Sequence, residues 1–159
     1  FQYVRTNRNH GAFLAFRLAI QLEAYARKCL SQMHDMKNYM SSRAAIGHLY
    51  CYLPDFPDFP DDADGWRNVS PQILDQAYRL RADAESEQST LNFYVAELGE
   101  VEAAFSDCYQ ACAKTGLAAL AAAQSFRHAY GFKTYSDDTR EQLEGAAGSE
   151  PNAIYSYEH

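Results

Sequence analysis

Between residues 91 and 126 an apolar residue recurs at every seventh position: Leu91, Leu98, Phe105, Cys112, Ala119 and Phe126. A second apolar or small residue follows three or four positions later, at Val95, Val101, Cys108, Gly116, Ala122 and Tyr130. This spacing predicts a continuous seam along one α-helix, buried against other helices. Read as a single helix, the stretch would be about 54 Å long, several turns more than an ordinary globular helix. An acidic residue placed in that seam, at Leu98 or Phe105, is expected to cost more than about 3 kcal/mol.

A second long helix is predicted from near Asn9 to Tyr39–Ser42. One face reads Leu14, Leu18, Leu22, Tyr25, Cys29, Met33, Met36 and Met40, in steps of three and four residues that suit a nearly straight helix. Phe13, Phe16 and Ile20 add a second stripe, which predicts a wider buried arc in its first half. Ala44 to Leu53 reads as a further turn or two of helix, with Gly47 as a weak point.

Three prolines at a spacing of three, Pro54, Pro57 and Pro60, exclude a helix interior and favour an extended chain. Phe56, Phe59 and Trp66 are too apolar for a free linker, so an ordered crossover packing over one end of a bundle is expected. Ser70-Pro71 is a strong helix start, a hydroxyl cap followed by proline at the first helical position. Its apolar face is Ile73, Leu74, Ala77 and Leu80. Residues 82–90 are polar all round and compatible with either a helix break or an exposed continuation. If they stay helical, a rod of about 90 Å from Ser70 to Tyr130 must overhang the roughly 66 Å available from Asn9 to Leu53. Phe93, Tyr94 and Val95 would then be uncovered, and a two-fold dimer is the simplest cover. Ser136 is placed to cap a short helix over Asp137–Leu143 ended by Gly145. The fold expected is all-α: an antiparallel helical bundle built on two long helices, with a Pro/Asp/aromatic crossover. One domain should cover 1–147, and 148–159 should form a C-terminal tail in which Ile154, Tyr155 and Tyr157 are able to dock.

Composition narrows the setting. With 159 residues, 47% hydrophobic and 22% charged, the chain has the make-up of one folded domain. No apolar run approaches a membrane span, and no signal peptide is expected within these residues. The chain opens Phe-Gln-Tyr, so an upstream segment is expected to be missing. The net charge of −7 is unevenly spread. Residues 1–53 carry seven Lys/Arg against two Asp/Glu, residues 54–66 five aspartates alone, and residues 67–159 seven Lys/Arg against fourteen Asp/Glu. An acidic chain of this kind is a poor DNA-binding surface. Its basic first third suits packing against acidic helices, or an anionic membrane reached through the missing segment.

Several landmarks stand in order along residues 13–132: Leu22-Glu23-Ala24-Tyr25-Ala26-Arg27-Lys28-Cys29, then Leu53-Pro54 through Pro60-Asp61-Asp62 and Trp66. Gly116-Leu117-Ala118-Ala119-Leu120 and Arg127-His128-Ala129-Tyr130-Gly131 complete the set. Together they resemble an uncharacterised bacterial family of all-helical proteins, often with an N-terminal membrane helix. The resemblance implies an all-helical domain and supplies no activity.

Among candidate chemistries, Cys108 and Cys112 lie four apart on one helical face, with Cys29 as a possible third ligand. No histidine is placed as a fourth, and core thiols in a cytoplasmic setting are the preferred reading, with a metal or disulfide as the weak alternative. The crossover aspartates fail as an EF-hand: aligning Gly65 with the sixth position puts Pro60 at the first ligand and Pro71 at the twelfth. The overlapping Pro-x-x-Pro units lack flanking Arg or Lys, so structural use is preferred. Arg43-Ala-Ala-Ile-Gly-His48-Leu-Tyr50 resembles the Arg-x4-His-x-Tyr motif of HEPN-type helical ribonucleases. There the arginine stabilises developing phosphate charge and the histidine moves protons, without a metal. Ala44 departs from the polar residue usual after the arginine, and less helix precedes the motif than in that family. No Glu-x-x-His, haem motif or phosphate loop is present, and no cofactor is expected. The sequence thus favours a non-enzymatic interaction or assembly module, cytoplasmic or at the inner face of the membrane. Its expected partner is a second copy or another helical protein. The alternative is a ribonuclease using Arg43, His48 and Tyr50.

Overall fold

The computed structural model describes residues 2–99, 101–134 and 136–148, with the backbone alone at 101 and 102. Among these the chain is all-α, with no strand: α1 (Gln2–Ser41), α2 (Ala63–Asn68), α3 (Pro71–Phe93), a π-helical turn (Tyr94–Leu98), α4 (Val101–Ala129) and α5 (Thr139–Ala147). The tail residues Ile154, Tyr155 and Tyr157 and the side chain of Val101 lie outside the described part.

Helix α1 buries the face its spacing predicts, from Leu14 to Met36. The second stripe does not follow. Phe13 is 59% and Ile20 44% exposed, while Phe16 lies half-buried against Phe132 at 5.2 Å between ring centroids. The buried arc is widened instead by Ala15, Ala19 and Ala26. Small side chains on α1, facing an α4 lined with Ala111, Ala113, Ala119, Ala122 and Ala123, let these two helices form the most extensive contact in the molecule. Helix α1 also begins at Gln2 rather than near Asn9. Residues 2–8 contain no glycine or proline, so a helix nucleated downstream propagates through them, although they bury no face.

The expected helical continuation over Ala44–Leu53 is absent. After Ser41 the chain turns through left-handed Arg43 and Ala44, and Gly47 (φ +83°) folds it back onto the last turns of α1. A Cβ at Gly47 would stand 2.2 Å from the Asp35 carbonyl oxygen, so the turn needs glycine for both its dihedral and its closeness. From there the Pro/Asp/aromatic segment runs lengthwise beside α1 instead of over its end. Tyr52 meets Gln32, Phe56 meets Tyr25, the Asp58 carbonyl accepts from Gln21, and Gly65 abuts Leu14. Asp62 caps α2 by accepting from the Gly65 amide at 2.9 Å. Ser70 caps α3, and Pro71 takes the first helical position as its sequence predicts.

Residues 82–90 remain helical within α3. The break comes later. The chain leaves α3 through the π-helical turn, and Gly99 then adopts φ +64°, its amide bonding to the Tyr94 carbonyl. The heptad seam is therefore divided between two helices. Leu91 is buried on α3, Cys112, Ala119 and Phe126 are buried on α4, Phe105 is half-buried, and Leu98 at the junction is 49% exposed. The seven-residue pattern passes over the break because a left-handed glycine interrupts a helix without disturbing the periodicity on either side. On α3, Ile73, Ala77 and Leu80 are buried and Leu74 is exposed. Helix α5 starts at Thr139, not at Asp137, and runs through Gly145, with Leu143 fully buried against the other helices.

Candidate functional site

The packing of α1 on α4 assembles three of the four cysteines. Cys29 from α1 and Cys108 and Cys112 from α4 are all fully buried, whereas Cys51, half-buried in the segment after α1, stands outside the group. Gln32, one turn beyond Cys29 and 7% exposed, organises them. Its side-chain amide donates to the Tyr52 carbonyl at 2.5 Å and lies 3.6 Å from Cys108 Sγ and 3.5 Å from Cys112 Sγ. The Cys108 thiol donates to the same Tyr52 carbonyl at 3.2 Å. The Tyr25 hydroxyl, on a side chain only 2% exposed, rests beside these thiols with no well-directed hydrogen-bond partner.

The surroundings separate the thiols electrically. The Cys108 thiol is held below its ordinary pKa, first by its hydrogen bond with Cys112 and then by the Gln32 amide, against the opposing effect of burial. Cys112 is pushed well up, by its bonds to Cys108 and Cys29 and by burial. The Tyr25 hydroxyl is also pushed up, chiefly by burial and then by the neighbouring Cys29. Among the described residues, no group of three or more His, Cys, Asp or Glu side chains is disposed to hold a metal ion.

A second polar feature crosses the same helix pair. Glu23 on α1 and Arg127 on α4 form a two-pronged ion pair, Nε to Oε1 at 2.6 Å and NH2 to Oε2 at 3.1 Å, with side chains only 8% and 11% exposed. The third guanidinium nitrogen donates to the Lys133 carbonyl at 3.2 Å, and the guanidinium carbon lies 5.3 Å from the centre of the Phe16 ring. Beside the pair opens a cleft of ≈ 380 Å³, lined in part by Gln124, Asp137, Arg140 and Glu141. Its two cations are engaged: Arg127 as described, and Arg140 with Gln124 Oε1 at 2.9 Å. Sequence reasoning missed this pair, although a signal existed. Glu23 stands four residues after Ala19 and three before Ala26, inside a buried stripe where a carboxylate requires a partner.

Arg43, His48 and Tyr50 fall in the non-helical turn and segment after α1. Arg43 and His48 are exposed, the His48 and Tyr50 rings meet edge-on at 6.3 Å, and the Tyr50 hydroxyl donates to Asp35 Oδ2 at 3.0 Å. Partial burial, then that bond, raises the Tyr50 pKa. Pro60 serves an internal contact. The Trp66 indole donates to the Pro60 carbonyl at 2.9 Å, and Phe59, Trp66 and Tyr78 pack on one another with Arg81 above Phe59.

No protein-family model, curated protein or solved structure matches this chain. No helix among the described residues is long and apolar enough to cross a membrane. The class defined is all-α.

Proposed function

We propose that this chain is a non-enzymatic interaction and assembly module: an antiparallel helical bundle built on two long helices, α1 and α4, with the Pro/Asp/aromatic segment as its crossover. Its partner is a second copy of the chain or another helical protein. The observation that carries this reading is the apolar surface left open at the two ends. Tyr3, Val4 and Phe13 are 78%, 71% and 59% exposed, and Phe93 and Leu98 are 52% and 49% exposed. Clustered large side chains of this kind mark association surfaces more often than they mark catalytic ones. The buried polar groups support the same reading, because Glu23, Arg127 and Gln32 bond to the protein itself. A bacterial cytoplasmic setting, tethered to the inner face of the membrane by a segment outside this chain, suits the basic first third and belongs to the same proposal.

Light scattering on the purified chain tests the reading. We expect a mass at micromolar concentration well above the 18.0 kDa of one chain. A mass that stays near 18.0 kDa across the range, with no helical partner recovered by cross-linking in cells, would overturn it.

A further inference from the structure

We infer that two copies of this chain associate side by side and head to tail, each laying the basic start of its α1 against the acidic α3–α4 tip of the other. The inference rests on the assembly reading and goes beyond it by naming the two surfaces and their polarity.

The surfaces stand at opposite ends of the molecule. At one end Gly11 of α1 meets Asn68 and Tyr130, and the Tyr130 hydroxyl accepts from the Ser70 amide at 3.2 Å, so α1, the start of α3 and the end of α4 share one level. Residues 2–10 of α1 continue past that level as an arm of about 13 Å, every residue exposed or half-exposed. At the other end Gln32 meets Cys108, and the chain from Leu91 through the π-helical turn to α4 forms a tip beyond it. From Gln2 to the level of Gln32 is about 45 Å of helix, so an arm cannot reach the tip of its own chain.

Both surfaces are apolar, and their charges are opposite. The arm and the next turns of α1 expose Tyr3, Val4 and Phe13 among Arg5, Arg8 and Arg17. No acidic residue occurs before Glu23. An open groove of ≈ 570 Å³ lined by Gln2, Val4, Arg5 and Arg8 lies along the arm. The tip exposes Phe93, Leu98 and Glu97, and from residue 91 to residue 104 the sequence holds three glutamates and no Lys, Arg or His; farther along α3, Glu85 and Glu87 are already paired with Arg81 and Lys114. Arm against arm or tip against tip sets like charges together, whereas arm against tip pairs opposite ones. Two copies arranged head to tail satisfy two arm–tip contacts at once and close the assembly by a two-fold axis.

Charge reversal with mixing tests this on the full chain. Arg5→Glu/Arg8→Glu reverses the arm, and Glu97→Arg reverses part of the tip. All three sites are exposed, and circular dichroism confirms that each variant is folded. By light scattering in about 50 mM salt, where such contacts are weakly screened, the wild type should be a dimer. Each variant alone should dissociate with a Kd raised at least about tenfold, since Arg5→Glu/Arg8→Glu sets acids against the acidic tip and Glu97→Arg sets a new cation against the basic arm. An equimolar mixture of the two variants should regain the wild-type dimer, because the heterodimer restores opposite charges at both contacts. Dimers that persist unchanged in both variants would overturn the arm–tip inference while leaving the assembly reading intact. A wild type that stays monomeric, with no partner recovered in cells, would overturn both. A monomeric wild type that dimerises only after residues 149–159 are deleted would also reject the inference, showing that the chain's own tail covers one of these surfaces.

Discussion

Removing one partner of the Glu23–Arg127 pair should be among the most damaging single changes to the fold, while removing both should be nearly harmless. Arg127→Met keeps an unbranched apolar side chain at this position but removes the guanidinium and strands the Glu23 carboxylate, whose residue is 6% exposed. Glu23→Leu strands the guanidinium with only the Lys133 carbonyl and the face of Phe16. An uncompensated buried charge left by breaking such a pair costs about 3–5 kcal/mol. For a chain of this size that corresponds to a fall in melting temperature of roughly 6–20 °C, at 2–4 °C per kcal/mol. The double variant Glu23→Leu/Arg127→Met exchanges both ions for apolar groups of similar volume and should lie within about 1 kcal/mol of wild type. Urea unfolding followed by circular dichroism supplies all four corners of the cycle. If each single variant lies within about 1 kcal/mol of wild type, the pair is effectively solvated. If the double variant loses the sum of the two singles, the charges are not coupled and the reasoning fails.

The divided seam predicts that Leu98→Asp costs less than about 1 kcal/mol, whereas Phe126→Asp, at a fully buried position, costs more than about 3 kcal/mol; equal losses in thermal melts would mean that Leu98 is covered. In the folded state an alkylating reagent should label Cys51 alone, and in urea all four cysteines. Mass spectrometry showing rapid native labelling at Cys29, Cys108 or Cys112 would place the thiol cluster in contact with solvent. Because Cys112 has a raised pKa in the folded state, the native protein keeps a proton that the unfolded chain releases near pH 8.5. Its contribution is therefore fully present below about pH 8.5 and is lost as pH rises through the folded value. Urea midpoints measured upward from pH 8 should fall, and Cys112→Ala should flatten that slope; an unchanged slope would assign the fall to other groups.

The apolar face of α1, Leu14 to Met36, was legible because seven residues repeat the same message at helical spacing. Ser70-Pro71 was legible because capping is a local event. Phe13 and Ile20 misled because apolar character alone does not say whether a neighbour exists, and here the alanines beside the main face filled that role. The break at Gly99 was concealed by a heptad that resumes in phase after it. For the thiols, the spacing of Cys108 and Cys112 placed two on one face and suggested Cys29. Gln32, which touches both α4 sulfurs, looked like any polar residue on a helix. Glu23 and Arg127 are 104 positions apart, and nothing local to either names the other.

The segment after α1 touches Gln32, Tyr25, Gln21 and Leu14 in turn, so it retraces the helix it has just left. Most of these contacts join residues fewer than about forty positions apart, whereas α4 returns to α1 from roughly a hundred positions away. Loop-closure entropy makes the shorter-range contacts faster to form. During synthesis the chain up to α2 is therefore able to fold back on itself before α4 has been made, sheltering one flank of α1. The other flank, with Ala15, Ala19, Glu23 and Cys29, must wait for the last helices. In that interval the nascent chain displays a lone carboxylate and a single thiol on an otherwise apolar strip. Completion of α4 then covers the strip, neutralises the acid and joins that thiol to its two partners in one event.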